Sequence, residues 1–233
     1  MSDLICGNNV VKAAITENVR ILNLYINSNN KEIIELAEKK RIKFKLVDKN
    51  FLDKLLKNHQ GVIAEIEGFK TFNLEDIMTG SNQSLIVMLE GLEDPHNLGA
   101  ILRTADAAGV DGVIIPKHRS VKLNSTVAKV STGAIFTVKC VEVANFANTI
   151  EKLKKAGYWI VGAEASPTSQ DYRSLKYDMP TVLVIGSEGK GISRLVTSKC
   201  DFLVEIPMRG SVTSLNASVS AAILMYEIKK DQE

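Results

Sequence analysis

Three stretches of the sequence gather residue types that a reaction centre needs. Residues 90–106 read EGLEDPHNLGAILRTAD, with Gly91 and Pro95 as punctuation, Asn97 placed to cap a helix, and Arg103 near the start of that helix's second turn. Asn97 alone reads as a helix cap and Arg103 as a surface arginine, yet Arg103 sits among Ile101, Leu102, Ala105, Ala107 and Ala108 on a helix with few other charges. Residues 182–193, VLVIGSEGKGIS, run from an apolar strand through Gly186, Gly189 and Gly191. Glycines let a ligand approach the backbone and leave amide groups free to bind it. The order G-x-x-G-x-G fails the dinucleotide fingerprint, and Gly191 after Lys190 fails the phosphate-loop pattern. A tight structural turn stays open, but Glu188 repels phosphate and suits a ligand carrying positive charge. Residues 206–220, IPMRGSVTSLNASVS, collect Ser211, Thr213, Ser214, Asn216 and Ser218 beside a buried strand. Ser214 or Asn216 can cap the following helix, and capping does not account for the other hydroxyls, which point to a pocket for a polar ligand.

The elements that must position these loops follow from the apolar pattern. Beyond residue 84, strands are expected at 85–89, 112–115, 138–143, 159–163, 181–185 and 202–206, and helices at 98–108, 145–156, 192–198 and 215–229. Near-continuous apolar strands alternating with helices make a mainly parallel sheet covered on both faces. Ligands in such sheets bind beyond the carboxyl ends of the strands, where the three loops begin. Residues 1–68 read as a small α/β unit, with helices at 8–17, 31–40 and 51–56 and strands at 21–26, 44–47 and 61–67. The polar stretch 71–83, with one possible helical turn at Leu74 to Met78, reads as a linker to a second domain at 84–233.

Composition narrows the function classes. The 233 residues are 45% hydrophobic, enough for a substantial core. The longest apolar stretch, Ala217 to Tyr226, is too short for a bilayer and the first residues lack a basic-then-apolar leader, so a cytoplasmic protein with no membrane partner is expected. Cys6, Cys140 and Cys200 are scattered and odd in number, which speaks for buried packing rather than disulfides or a metal site. The net charge of +2 is uninformative, but Lys39, Lys40, Arg41, Lys43 and Lys45 form one basic cluster and Lys117, His118, Arg119 and Lys122 another. Read alone, such runs are more often solvated faces than phosphate contacts.

Taken in order, Asn97-x5-Arg103, residues 185–192 (IGSEGKGI) and residues 206–218 (IPMRGSVTSLNAS) resemble the SpoU/TrmH branch of the SPOUT methyltransferases from about residue 84 onward. Gly7 to Ala14 and residues 58–64 (NHQGVIA) look like the ribosomal-protein-like RNA-binding domain of the branch that methylates guanosine in 23S rRNA. The resemblance implies an α/β fold whose C-terminal chain forms a trefoil knot, preceded by a small α/β RNA-binding domain at 1–70. It implies a homodimer acting on RNA rather than DNA, with residues 98–108 and the last helix as interface candidates. S-adenosylmethionine is the implied cofactor, held at positions matching Gly186, Ile206, Met208 and Leu215, with Gly189 in the same glycine loop. Arg103 matches the position that assists the ribose 2′-hydroxyl, and Asn97, Glu188, Ser214 and Asn216 match supporting polar positions. Arginine stays protonated, so its implied task is to orient phosphate or hydroxyl and stabilise alkoxide charge, with proton abstraction left open. Modification of guanosine in tRNA, and RNA binding without catalysis, remain the alternatives. A nucleotide-dependent oxidoreductase is disfavoured by the failed fingerprint.

Overall fold

A computed structural model describes residues 2–118, 120–187 and 189–232. Two compact units emerge, one formed by residues 1–70 and 122–137, the other by 71–121 and 138–233.

The first unit runs β1 (Asp3–Cys6), α1 (Asn8–Thr16), β2 (Ile21–Asn27), α2 (Lys31–Lys39), β3 (Lys45–Val47), α3 (Lys49–Leu55) and β4 (Val62–Ile66). The strands form a mixed sheet in the order β1-β4-β2-β3. Strand β4 pairs antiparallel with both β1 and β2, while β3 runs parallel to β2. Asp48 starts α3 by accepting from Phe51 N at 2.7 Å, two residues ahead of the expected start. Ile33 and Ala37, one helical turn apart, are fully buried by α2, whose lysines face solvent.

The second unit holds β5 (Leu85–Leu89), α4 (Pro95–Ala107) and β6 (Gly112–Pro116), after which the chain enters α5 (Ser125–Val130). It continues with β7 (Cys140–Val143), α6 (Phe146–Lys155), β8 (Trp159–Ala163), β9 (Gln170–Asp171), β10 (Thr181–Ile185), α7 (Arg194–Thr197), β11 (Phe202–Glu205) and α8 (Ala217–Gln232). The sheet order is β7-β6-β5-β10-β8-β11-β9. Every pairing within it is parallel. All residues of β5 and β10 are buried, as continuous apolar strands covered on both faces must be. Asp111 pins the start of β5, its Oδ2 accepting from Leu85 N at 2.9 Å and from Ser84 Oγ at 2.7 Å.

Residues 122–137, expected within the second domain, belong to the first unit. Asn124 caps α5 through Val127 N at 2.9 Å, α5 packs on β1, and Phe136 stacks on Phe69 with ring centroids 5.8 Å apart. Gly133 has φ +99°, and a Cβ there would lie 2.6 Å from the Ala13 side chain, so glycine is what lets this segment approach α1.

Several element ends move from their expected places. Helix α4 begins at Pro95 rather than residue 98, because Asp94 accepts from His96 N at 2.9 Å and proline favours the first helical position. The linker's turn at Leu74–Asp76 is a 3-10 turn closed by Asp76 on Asn73 N at 2.8 Å. Strand β7 starts at Cys140, after Val138, and α8 runs from Ala217 to Gln232. Among the described residues no helix is long and apolar enough to cross a membrane.

Candidate active site

The site begins where the two central strands end. Ile185 of β10 lies in register with Leu89 of β5, and Glu90 N donates to Ile185 O at 2.8 Å, so both following loops leave from one point. The second loop closes on itself, with Gly191 N donating to Ser187 O at 2.9 Å and Ser187 N to Gly191 O at 3.2 Å. Gly189 and Gly191 take φ of +82° and +63°, conformations that glycine adopts without strain. Gly186 is required for another reason: a Cβ there would lie 2.1 Å from the carbonyl carbon of Gly191. Gly91, at φ +70°, turns the first loop so that a Cβ would lie 3.5 Å from the Ser187 side chain.

Glu90 fastens the first loop to the end of the second. Its carboxylate accepts from Ser193 N at 2.9 Å and from Ser193 Oγ at 2.7 Å, and Ser193 also caps α7 through Val196 N. No role for Glu90 followed from its sequence context, though an acid immediately after a buried strand was the available signal.

Asn97 does not cap α4. Asp94 takes that position, which leaves Asn97 in the first turn, buried, with its Oδ1 accepting from Asn216 Nδ2 at 3.0 Å. Asn216 does cap α8, its Oδ1 accepting from Ser218 N at 2.9 Å. The third loop thus crosses from β11 back to the centre of the sheet, where α8 packs against α4, β5 and β10. A cleft of about 490 Å³ opens between the first and second loops, lined by Gly91, Leu92, Glu93, Asp94, Asn97, Ser187 and Lys190.

The remaining expected residues fall around this core. Arg103 is exposed and makes no hydrogen bond or ion pair among the described residues. It shares an outward stripe of α4 with His96, Ala100 and Ala107, and six residues of helix put it about 9 Å along the axis from Asn97. Because α4 starts at Pro95, Arg103 stands in its third turn rather than its second. Ile206, Met208 and Leu215 are half-buried and Ser214 is exposed, all on the third loop and apart from the residues named as lining the cleft. Glu188 and Arg119 lie outside the described residues.

The cysteines stand away from this chemistry. Burial pushes the thiols of Cys140 and Cys200 up to about 12, and raises Cys6 as well. No cluster suited to a metal ion occurs among the described residues.

Comparison with known proteins places this geometry. Residues 84–226 match the model of the SpoU rRNA methylase family, and residues 4–72 match that of the RNA 2′-O ribose methyltransferase substrate-binding domain. A protein of Bacillus subtilis named as a TrmH family tRNA/rRNA methyltransferase is 44% identical over 97% of this chain and 94% of its own length. A protein of the same name from Staphylococcus saprophyticus is 50% identical over 97% and 94%. Among solved structures, the SpoU methyltransferase AviRb of Streptomyces viridochromogenes in complex with S-adenosylmethionine superposes with a TM-score of 0.86 at 26% identity, covering 98% of this chain and 90% of that one.

Proposed function

The chain belongs to the SpoU family of RNA methyltransferases, whose cofactor is S-adenosylmethionine, and on that premise we propose that it methylates the ribose 2′-hydroxyl of a guanosine in 23S rRNA. The observation that carries this reading is the cleft between two glycine-turned loops at the carboxyl ends of β5 and β10, closed behind by the Asn97–Asn216 hydrogen bond.

The cleft fits the charge of the cofactor's sulfonium end, while the third loop, apart from this lining, carries further cofactor positions. Glu93 and Asp94 in its lining outnumber Lys190 and favour a ligand carrying one positive charge, and Gly186 keeps backbone rather than side chain at the strand end. Gly186 and Gly189, with Ile206, Met208 and Leu215 of the third loop, hold the cofactor, which when bound supplies a methyl group on a positively charged sulfur. Arg103 acts on the RNA: its fixed charge orients a phosphate or the hydroxyl and stabilises the developing alkoxide, while the proton leaves to solvent. Asn97 and Asn216 fix the start of α4, and Ser214 adds a donor on the RNA side; Glu188, outside the described residues, completes the polar set.

The enzyme works as a cytoplasmic homodimer that binds RNA rather than DNA. Val219 and Tyr226, 46% and 54% exposed, line up with Ala222 and Ile223 on the outer face of α8, an apolar stripe suited to a second copy. The trefoil knot belongs to the same proposal, as do a substrate-binding domain ending near residue 70 and a methyltransferase domain from 84. Ribose-methylation mapping across rRNA and tRNA in a deletion strain tests the substrate. Loss of one guanosine mark in 23S rRNA is expected; loss of a tRNA mark with rRNA intact transfers the assignment to tRNA, which the relatives' shared name also includes.

A further inference from the structure

The first unit carries a cavity of its own, about 430 Å³, whose lining includes Asn27, Asn29, Lys49, Asp53, Asn58 and His59. Asn27 ends β2, Lys49 and Asp53 lie one turn apart on α3, and Asn58 and His59 belong to the loop entering β4. That size falls in the range of small-ligand sites.

The loop is built around a buried histidine. His59 Nδ1 accepts from Gly61 N at 2.9 Å, so the ring proton sits on Nε2, which faces Asp53 Oδ1 at 3.2 Å. Asn58, Gln60 and Gly61 have φ of +58°, +53° and +82°, so two non-glycine residues flanking the histidine are held in the left-handed region. Backbone strain of this kind persists where a binding surface needs it. Gln60 is occupied elsewhere, accepting from Asn8 N at 3.0 Å. The Asn27 amide is occupied too, its Oδ1 taking Asn29 N and its Nδ2 donating to Val47 O.

What remains uncommitted is specific. Among the described residues, the side chains of Asn29, Asn58 and Lys49 have no partner, and Asp53 has an oxygen to spare. Two amides and a carboxylate match the mixed donors and acceptors of a nucleobase edge, and one ammonium matches a phosphate. The carboxylate disfavours a free anion, and the concave lining excludes the edge of a duplex, whose A-form major groove side chains do not read. Lys45 lies over the Tyr25 ring at 5.9 Å, and Tyr25 occupies the same face of β2 as Asn27, extending a basic and aromatic surface from the cavity.

We infer that this cavity takes one unpaired nucleotide of the RNA substrate, its base edge met by Asn29, Asn58 and Asp53 and its phosphate by Lys49. The inference rests on the RNA-methyltransferase reading and gives the substrate-binding unit a site of its own.

The test measures binding of the full-length protein to a short single-stranded RNA and to a blunt hairpin of the same composition closed by a non-nucleotide linker, which leaves no nucleotide unpaired, by fluorescence anisotropy over a salt series. Lys49→Ala should weaken single-strand binding and reduce its log–log salt slope by about 0.7, the value of one phosphate contact. Asn58→Gly, which removes the amide while keeping the backbone conformation, and Asn29→Ala should weaken it roughly tenfold at an unchanged slope, as base contacts do. Hairpin affinity, S-adenosylmethionine affinity and melting temperature should stay at wild-type values in all three. Unchanged single-strand affinity, or equal weakening for strand and hairpin, overturns the inference. Methyl transfer by the wild type, assayed alongside, separates failure of this site from failure of the functional reading.

Discussion

Gly186→Ala offers the sharpest test of the loop geometry. The new methyl carbon would lie 2.1 Å from Gly191 C, 2.3 Å from its oxygen and 2.5 Å from Ile192 N. All three are backbone atoms, so no side-chain rotation relieves the clash, and the two Ser187–Gly191 hydrogen bonds hold them in place. Overpacking costs about 1–3 kcal/mol, and a backbone clash belongs at the upper end, about 3 kcal/mol. The strands below are fully buried, whereas the loop is half-exposed, so the loop opens before the sheet yields. With each 1.4 kcal/mol worth about a factor of ten, S-adenosylmethionine affinity should fall roughly a hundredfold in calorimetry. Gly157→Ala is the control: φ is +90° there and nothing lies within 4 Å of the added Cβ. It should cost about 1 kcal/mol in urea unfolding and leave cofactor affinity unchanged. A Gly186→Ala protein that binds S-adenosylmethionine like the wild type would refute the assigned role of this loop.

Three further outcomes are expected. Glu90→Ala removes the acceptor of two hydrogen bonds from Ser193 in a half-exposed position, so urea unfolding should show a loss of about 1–2 kcal/mol, with Ser193→Ala non-additive to it in a double-mutant cycle. Asn97→Ala and Asn216→Ala should likewise couple by about 1 kcal/mol, and strict additivity would mean that their hydrogen bond does not matter. The Cys140 thiol is raised to about 12, so the folded form keeps a proton that the unfolded chain begins to release near pH 9. Its contribution is therefore intact below that pH and is lost as pH climbs from about 9 toward 12, by about 1.4 kcal/mol per pH unit at most; the urea midpoint should fall across this window, less steeply in Cys140→Ala.

Strands β5, β8 and β10 were legible because five-residue apolar runs between glycine and polar punctuation have few other readings, and their parallel order follows from the helices between them. The glycine loop was legible for the same reason. Local cues misled at Asn97, where the stronger start signal was Asp94 followed by Pro95, and where the side chain's partner lies 119 residues away. The 122–137 segment was placed in the second domain with no element assigned to it: α5 is six residues long, below the length at which periodicity is decisive, and its packing surface is β1 at the other end of the sequence. Strand β1 and the two-residue β9 escaped for the same lack of length. Glu90 acquires meaning through Ser193, 103 residues on, which no local pattern reveals.

Methyl transfer from labelled S-adenosylmethionine to purified ribosomal RNA, compared for the wild type, Arg103→Ala and Arg103→Lys, bears most directly on the chemistry. All three proteins should fold and bind the cofactor alike, since Arg103 is exposed and bonded to nothing among the described residues. The wild type should label a ribose 2′-oxygen, Arg103→Ala should lose roughly a hundredfold or more in turnover, and Arg103→Lys should keep part of it by charge alone. Near-wild-type turnover in both variants would remove Arg103 from the reaction.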